Sequence, residues 1–304
     1  RRRARDRHSH DDGCRIALVA EGGAMRGVYA GGMVSAIEAT GFMSCFDLMI
    51  GSSAGACALA YLRAGQARFR PRMFYEDLNT GVFIRRRRIL RGGPMVSIDY
   101  LIDEVFRSLK PLNLAALKAP GPELYATASD IDAAEAALLT DFEEPERALQ
   151  ILRATARMPL VSGPPVQVDG RRFLDGGLLA PAPIDSARDL GATHILLILT
   201  HPPGASVIAK PSFTDMKIAL PLLARRYGKH VADSFLEARD EYAEVYRLLG
   251  DGAEVTLEGV QVQAIRPARD RHLINRTTQS GAALRAGAAN AEQVMTRYLL
   301  GGSP

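Results

Sequence analysis

The sequence predicts an α/β protein in three layers, α/β/α, with a mostly parallel central sheet. Short apolar runs at residues 16–20, 46–50 and 194–200 are typical of strands that are buried on both faces. The first two runs are each followed by a glycine-rich turn and then by a helical stretch, at 28–39 and 54–64. This order is expected when helices cover both faces of a parallel sheet.

The rest of the chain extends the same pattern. Asp169-Gly170 lies between two short strand-like stretches and indicates a β-hairpin. We expect residues 14–300 to form a single domain, because neither a repeat nor a long linker divides them, and the basic residues 1–13 to form a flexible tail. Residues 211–250 have helical patterning and are expected to form a helical cap. The other predicted elements are strands at 124–128, 166–168, 172–174 and 254–265 and helices at 144–156 and 280–300.

Composition excludes several classes of protein. Apolar residues make up 47% of the chain and charged residues 24%, which is typical of a folded protein and not of a disordered one. The net charge of +4 is too small to indicate a partner by itself. No run approaches the roughly 18 apolar residues of a membrane span, and the 3 cysteines lack the spacing of a disulfide framework or a zinc site. We therefore expect a cytoplasmic protein without a metal or cofactor.

Gly51-Ser52-Ser53-Ala54-Gly55 is a G-x-S-x-G pattern between a predicted strand and a predicted helix. A nucleophilic serine on such a sharp turn needs small residues two positions before and after it, here Gly51 and Gly55. The turn lifts the Ser53 hydroxyl above the sheet, and the following helix directs its partial positive charge at it. An ordinary Gly/Ser turn would give the same pattern. The strand before it and the helix after it favour a nucleophile at Ser53.

A second glycine-rich segment opens the first predicted helix and consists of Gly22, Gly23, Ala24, Met25, Arg26 and Gly27. Unpaired N–H groups at such a helix start can converge on an anion. One interpretation is a nucleotide phosphate site, but Ala24 replaces a glycine of the dinucleotide fingerprint and no clear acidic residue follows at the required distance. The other is an oxyanion hole whose amides near residues 23–25 face Ser53. The serine turn one strand later favours the oxyanion hole.

A serine nucleophile also needs a base. Among the 6 histidines, His201 at the predicted end of a strand is the candidate for a conventional triad. The alternative is a carboxylate, since Asp175 is followed by Gly176 and Gly177, which leave room for another group to approach closely. Asp175 is equally compatible with an ordinary turn, as Asp169 is. The residues alone leave these alternatives open.

The order of three motifs resembles the patatin-like phospholipase family. G-G-x-x-R-G follows the first strand, G-x-S-x-G follows the second, and D-G-G lies far downstream. The proline-containing loop 159–166 and the run FLDGGLLAPAPIDSARDLGATHILLILT are similar to the segments around the family's aspartate. GQARFR and IRPAR are similar to one bacterial branch of the family. The resemblance covers roughly residues 14–290.

The resemblance implies a patatin-like fold and a Ser-Asp dyad, with Ser53 as nucleophile and Asp175 as proton acceptor. It also implies an oxyanion hole at residues 22–27 and places Gly176 and Gly177 in the motif after the base. Ala24 departs from the family, in which many members carry a third glycine. The difference bears on the conformation of the loop, because alanine tolerates a positive φ less well. The implied reaction is hydrolysis of lipid esters, as in a phospholipase A or lysophospholipase, through an acyl-enzyme.

Arg85, Arg86, Arg87, Arg88 and Arg91 form a basic cluster flanked by apolar residues. One interpretation is a solvated surface. The other is a peripheral contact with an anionic membrane, because arginines attract anionic lipid while neighbouring aliphatic side chains insert shallowly. A nucleic-acid partner is not expected, since neither aromatic interleaving nor a recognition module accompanies the cluster.

Two alternatives to lipid-ester hydrolysis follow from the same residues. The first is a non-catalytic protein of this fold that binds lipid or a membrane surface, which the arginine cluster and Ala24 suggest. The second is transfer of the acyl group to an alcohol instead of water. The sequence leaves open the lipid class, the chain length, the position of cleavage, the oligomeric state and the contribution of His201.

Overall fold

The computed structural model describes residues 13–203, 215–249, 254–269 and 273–302. The predicted tail, apart from residue 13, lies outside these ranges, as do residues 211–214 and 250 of the predicted cap. The flexibility of the tail therefore stays a prediction.

A mixed, nine-stranded sheet runs through the described residues. Its strands are β1 (Ile16–Ala20), β2 (Leu48–Ser52), β3 (Glu123–Asp130), β4 (Glu135–Leu139), β5 (Val166–Val168), β6 (Arg171–Asp175), β7 (His194–Ile198), β8 (Glu254–Leu257) and β9 (Val260–Ile265). Strands β3, β2, β1, β7 and β9 run parallel in this order and form the centre. Antiparallel pairings attach β4, β5, β6 and β8 at the margins. The prediction of a mostly parallel central sheet is confirmed.

Helices flank this sheet. They are α1 (Gly27–Ala39), α2 (Ala54–Arg63), α3 (Arg72–Glu76), α4 (Pro145–Ala156), α5 (Ile184–Asp189), α6 (Leu220–Tyr227), α7 (Lys229–Leu248) and α8 (Gly281–Leu299). Shorter 3₁₀ segments lie at Ala24–Arg26, Phe42–Cys45, Ala67–Phe69, Arg86–Arg91, Leu114–Lys118 and Gly176–Leu178, and π-helical segments at Tyr100–Leu109 and Asp215–Ala219.

The buried side chains of β1 show that both faces of the sheet are covered. Leu18 and Ala20 belong to a core cluster that includes residues of α1, α2, α4 and α8. Ala17 and Val19 belong to a second cluster, with residues of α5. Because alternate residues of a strand point to opposite faces, these two clusters are the two sides of an α/β/α arrangement.

Several predicted elements differ from the observed ones in their bounds, and two of these differences have a clear physical cause. The strand predicted at 46–50 begins two residues later, because Asp47 accepts a hydrogen bond from the Ile16 N–H (2.7 Å) and its own N–H donates to the Ile16 carbonyl (2.8 Å) at the start of the β1–β2 pair. The prediction of a single strand at 254–265 is wrong. Glu258 and Gly259 both adopt positive φ, 46° and 86°, and turn the chain into the β8–β9 hairpin.

The described part of the predicted cap consists of the helices α6 and α7, which we call the cap helices. Gly228, with φ 103°, separates them and interrupts what the sequence pattern indicated as one long helix. Leu223 and Val231, one from each cap helix, are buried in a third core cluster together with Leu174 of β6 and Leu178 after it. The cap helices therefore pack on the region that follows β6.

Strand β3 determines how distant parts of the chain meet. Strand β2 pairs with β3 as far as Thr127, and β6 pairs with it from Ala128 onward. Strand β4 pairs with residues of both stretches and so occupies the opposite edge. Because a strand has only two edges, β2 and β6 share one. Asp175, the partner of Ala128, therefore lies just beyond Ser52, the partner of Thr127.

Candidate active site

Ser53 lies on a strained turn between β2 and α2. Its φ of 52° and ψ of −122° are unusual for a residue with a side chain, and they are the kind of strain that a nucleophile turn stores. A Cβ on Gly51 would lie 2.4 Å from the Ala56 Cα, and one on Gly55 would lie 2.4 Å from the Ala20 carbonyl oxygen. Backbone approaches of this kind require glycine at both positions.

Thr155, near the end of α4, is hydrogen-bonded to the turn at Ser53. Its hydroxyl accepts a hydrogen bond from the Ser53 N–H (2.9 Å) and donates one to the Thr127 carbonyl (2.6 Å). All three residues are buried. The hydroxyl thus ties the serine turn to β3. Sequence reasoning missed Thr155, because a threonine on an amphipathic helix carries no motif that marks it.

The Ser53 hydroxyl donates a hydrogen bond of 2.7 Å to the Asp175 Oδ2, from 122 positions away in the chain. The other carboxylate oxygen accepts from the Gly177 N–H at 2.7 Å, and the Asp175 carbonyl accepts from the Ser129 hydroxyl at 2.8 Å. A Cβ on Gly176 would lie 2.3 Å from the Thr127 carbonyl oxygen, so glycine is required there. Hydrogen bonds therefore hold both oxygens of the Asp175 carboxylate.

Burial raises the pKa of Asp175 from 3.8 to about 6. The hydrogen bonds from Ser53 and Gly177 and the charge of Arg276 act in the opposite direction, since each favours the carboxylate. The aspartate is consequently ionised at neutral pH but more basic than an exposed aspartate. It has the properties of a proton acceptor for the hydroxyl beside it.

The glycine-rich segment packs directly against the serine turn. A Cβ on Gly22 would lie 3.0 Å from the Ser53 Cβ, and one on Gly27 would lie 2.5 Å from the Ala54 Cβ. Ala24 adopts a φ of 51°, the conformation that an additional glycine would adopt more readily. The segment thus keeps the required backbone shape with alanine in place.

Two of the six backbone amides of the glycine-rich segment have no acceptor among the described residues. The N–H groups of Gly22, Met25 and Arg26 donate to backbone carbonyls, and Gly27 donates within the 3₁₀ turn. Those of Gly23 and Ala24 have no such partner in the part of the chain that the structure describes. The oxyanion hole stays a prediction, and the hydrogen bonding narrows it to these two amides.

Arg26 is buried and does not present its charge to solvent. Its guanidinium lies 3.8 Å from the carboxylate of Glu21, which is only 1% exposed. Glu21 also accepts hydrogen bonds from the Thr200 N–H (2.8 Å) and from the hydroxyls of Tyr242 and Tyr246 on α7. This network joins the glycine-rich segment to a cap helix. The tyrosines are a further set that sequence reasoning missed, although their spacing of four residues places both on one helix face.

His201 is not hydrogen-bonded to Ser53 in this structure, because Asp175 occupies that position. The imidazole packs edge-on against the ring of Tyr246, with 5.6 Å between centroids. Burial and the charges of Arg26, Arg276 and Arg266 lower the pKa of His201 to about 3. It is therefore neutral at physiological pH.

Two cavities meet at Ser53. The larger is a groove of about 560 Å³, and the smaller has a volume of about 30 Å³. The groove is lined by Ser53, Asp175, the glycine-rich segment and His201, and the cap helices contribute Leu220, Leu223 and Phe235 to its wall. Arg276 also lines the groove and is exposed. Within the described ranges, no group of three His, Cys, Asp or Glu side chains is placed to hold a metal ion.

Comparison with known proteins identifies the family. A family model described as patatin-like phospholipase matches residues 18–188. The uncharacterized protein YjjU of Escherichia coli (strain K12) is 30% identical over 191 residues, which are 62% of this chain and 52% of that protein. The chain thus spans about half the length of this relative.

Similar solved structures cover nearly the whole chain. VipD from Legionella pneumophila aligns with a TM-score of 0.47 and 11% identity, over 94% of this chain and 66% of that one. Human GIVD cytosolic phospholipase A2, in complex with methyl gamma-linolenyl fluorophosphonate, aligns with a TM-score of 0.49 and 11% identity, over 94% of this chain and 57% of that one. On the match of the family model, which includes both the G-x-S-x-G turn and the D-G-G motif, the chain belongs to the patatin-like phospholipase family.

Proposed function

We propose that this protein hydrolyses lipid esters, as a phospholipase A or lysophospholipase does, with Ser53 as nucleophile and Asp175 as general base. The observation that carries the proposal is the 2.7 Å hydrogen bond between the Ser53 hydroxyl and the Asp175 carboxylate, beside two amides that are free to bind an oxyanion. Membership of a phospholipase family supports the lipid substrate.

The residues at the site suffice for an acyl-enzyme reaction. Asp175 accepts the Ser53 proton while the serine oxygen attacks the ester carbonyl carbon. The amides of Gly23 and Ala24 stabilise the resulting oxyanion. Collapse breaks the carbon–oxygen bond to the alcohol, which leaves with the proton from Asp175. Water then gives its proton to Asp175 and attacks the acyl-enzyme, and the proton returns to Ser53 as the carboxylic acid is released.

The larger groove fits such a substrate. Its volume of about 560 Å³ lies within the range of small-molecule sites, ~300–1,000 Å³. Leu160, Val161 and Leu178 join the side chains of the cap helices in an apolar wall, against which an acyl chain is favourable. The lining also includes polar side chains, among them Ser53, Asp175 and Arg276. A lining that is partly apolar and partly polar suits an amphipathic ester.

A serine-directed fluorophosphonate probe tests the nucleophile. We expect wild type to be labelled and to turn over p-nitrophenyl esters, and Ser53→Ala to lose both. Ser52→Ala is the matched control, because the Ser52 hydroxyl is buried without a hydrogen-bond partner among the described residues and should be dispensable. Labelling of the Ser53→Ala protein would contradict the assignment. Vesicle binding without turnover would instead favour the non-catalytic alternative.

The arginine cluster supports a peripheral membrane contact near the groove. Arg85, Arg86, Arg87 and Arg91 are exposed, and no described carboxylate pairs with them. Leu90 between them is 86% exposed, and Ile89 and Val82 are each 52% exposed. Arg86 donates to the Thr277 hydroxyl (3.3 Å), next to the groove residue Arg276. Within the described residues no helix has the length and apolar character of a membrane span.

Vesicle sedimentation tests this contact. Replacing Arg85, Arg86 and Arg87 with glutamine should weaken binding to vesicles with anionic lipid by about 1 kcal/mol per arginine and leave binding to zwitterionic vesicles unchanged. The activity on a water-soluble p-nitrophenyl ester should also be unchanged, since none of the three residues lines the groove. Equal binding of the variant and wild type to both vesicle types would contradict the contact.

A further inference from the structure

Residues 158–163, which we call the wall loop, follow α4 and form one side of the larger groove. Four residues of the loop line the groove, namely Met158, Pro159, Leu160 and Val161. Met158 also lines the smaller cavity at Ser53. The position of the wall loop therefore determines how closely an apolar chain in the groove can pack beside the nucleophile.

The wall loop has a conformation that depends on its surroundings. Leu160 has a φ of 65°, in the left-handed region that favours glycine, and a leucine persists there only where neighbouring contacts hold it. The Val161 carbonyl accepts a hydrogen bond from the Val96 N–H (3.1 Å). The Met158 carbonyl accepts from both the N–H (3.2 Å) and the hydroxyl (2.8 Å) of Ser162. These bonds fix the loop around Leu160.

Arg157, directly before the wall loop, binds its far end through a buried side chain. This side chain is 6% exposed, and its Nη1 donates a hydrogen bond to the Ser162 carbonyl. The same guanidinium donates to both carboxylate oxygens of Asp99, from Nη2 at 2.6 Å and from Nη1 at 3.3 Å. A Cβ on Gly163 would lie 3.0 Å from the Arg157 Nη1, so the loop packs directly on the guanidinium. Arg157 thus joins the loop to a carboxylate on another element.

The main chain of Arg157 contacts the catalytic pair. Its carbonyl accepts a hydrogen bond of 2.8 Å from the N–H of Asp175, whose carboxylate accepts from Ser53. One residue therefore touches the candidate base through its backbone and the groove wall through its side chain. A substitution of Arg157 changes only the second contact directly, because every amino acid retains the carbonyl.

We propose that Arg157 is a positioning residue that fixes the wall loop where an acyl chain bound at Ser53 packs against Leu160 and Val161, and that it thereby sets the chain-length selectivity of the enzyme. The acyl selectivity rests on the proposed hydrolytic function. The groove, at about 560 Å³, has room for such a chain. Each methylene group that the wall covers should favour the longer ester by about fourfold.

Matched substitutions of two neighbouring arginines test the contact with the loop. Arg157→Lys keeps a cation for Asp99 but lacks the planar fork that also binds the Ser162 carbonyl. Arg153→Lys is the control, because Arg153 donates to Asp99 and Asp103 but, within the described residues, to none of the wall loop. Hydrogen exchange of a peptide that covers residues 158–163 should be about tenfold faster in Arg157→Lys and unchanged in Arg153→Lys.

The selectivity is measured as a ratio of kcat/KM values, for p-nitrophenyl octanoate over p-nitrophenyl butanoate, which cancels differences in the active fraction. In wild type this ratio should be about tenfold or more. It should fall towards one in Arg157→Lys and stay at the wild-type value in Arg153→Lys. A merely structural role of Arg157 would lower the melting temperature of its variants and leave the ratio unchanged.

A second variant covers the case in which lysine still holds the loop. Arg157→Met removes both side-chain contacts and should show both the faster exchange and the lower ratio. Exchange at the wild-type rate in both Arg157 variants would overturn the proposal. An active enzyme without a preference for octanoate, or one that keeps this preference although its loop exchanges faster, would also overturn it and leave the hydrolase standing.

Calorimetry separates this proposal from the hydrolytic one, because it needs no turnover. Octanoate should bind wild type more tightly than butanoate does, and Arg157→Lys should lose this preference while Arg153→Lys keeps it. The same result in a protein that hydrolyses no ester would contradict the hydrolase and support the positioning of the wall by Arg157. Equal binding of the two acids to wild type would contradict the apolar role of the wall.

Discussion

The two halves of the candidate site are held in different ways. The half made by β2, the glycine-rich segment and the turn after β6 is fixed by backbone: glycines allow main-chain atoms to meet, and sheet register aligns Ser53 with Asp175. The half made by the cap helices is fixed by side chains, through leucine packing and through two tyrosine hydroxyls on Glu21. The first half should tolerate almost no substitution. The second should tolerate many, each at a small cost.

The largest effect is expected for Gly55→Ala. The new Cβ would lie 2.4 Å from the carbonyl oxygen of Ala20, the last residue of β1, and 2.6 Å from that of Glu21, which follows it. We expect a loss of at least about 3 kcal/mol in the free energy of unfolding, or no folded protein. Gly81→Ala is the control, because nothing lies within 4 Å of its new Cβ; a change below about 0.5 kcal/mol is expected there. Equal denaturation midpoints for the two variants would refute the backbone explanation.

Asp175→Asn should separate activity from stability. Without the proposed base, kcat should fall about 100-fold to 10,000-fold. The buried carboxylate has its pKa raised from 3.8 to about 6, so ionising it costs the folded state about 3 kcal/mol above pH 6. The amide has no such cost, and the variant should be the more stable protein at pH 8. Urea denaturation at pH 8 measures this, and a less stable variant would count against the burial explanation.

The raised pKa of Asp175 predicts that the stability and the activity of wild type change with pH in opposite directions. The folded state binds the Asp175 proton more tightly than the unfolded state, so the contribution of this group to stability is complete below pH 3.8 and is lost as pH rises through about 6. The activity should change in the other direction, because the base must be ionised, and kcat/KM should rise with pH to a plateau above about 6. A rate profile without an inflection near this pH would argue against Asp175 as the base.

A smaller effect is expected for Thr155→Val. The change removes both hydrogen bonds of the hydroxyl and leaves the Ser53 N–H and the Thr127 carbonyl unsatisfied, at a cost of about 2 to 4 kcal/mol. Because the Ser53 turn is strained, we expect kcat to fall more than KM changes. Thr155→Ser restores the hydroxyl and should rescue kcat. A serine variant as impaired as the valine variant would assign the effect to the methyl group instead.

The smallest effect is expected in the cap helices. Tyr242→Phe removes one of several hydrogen bonds to Glu21, which should reduce the free energy of unfolding by about 1.5 kcal/mol. Tyr227→Phe is the control, since the Tyr227 hydroxyl is buried without a partner among the described residues, and it should be neutral or slightly stabilising. If Tyr242→Phe were as damaging as Gly55→Ala, the contrast between the two halves of the site would be wrong.

The features that the sequence predicted and those that it did not are divided in the same way, between backbone and single side chains. Elements defined by backbone periodicity and glycine were predictable: β1 has both its predicted ends, and the segments of Ser53 and Asp175 meet. Contacts made by single side chains were not. Thr155 and Glu21 carry no motif, because their importance depends on which distant groups surround them.

Some features had a local signal that was overlooked. Glu258-Gly259 interrupts an alternating run in the manner of a hairpin turn, and Gly228 divides a helical pattern. Strand β4, with the sequence EAALL, was not predicted, because alanine and leucine favour a helix and only pairing with β3 makes this segment a strand.

The shared edge of β3 also bears on how much the length of this chain can vary. Ser52, which directly precedes Ser53, and Asp175 are paired with neighbouring residues of one strand, Thr127 and Ala128. Connections on either side can therefore lengthen or shorten without moving the serine relative to the aspartate. A single residue inserted between positions 127 and 128 would displace them from each other by a full step of the strand, about 3.3 Å. The residues of β3 that pair with β2 and β6 therefore set the distance between the serine and the aspartate.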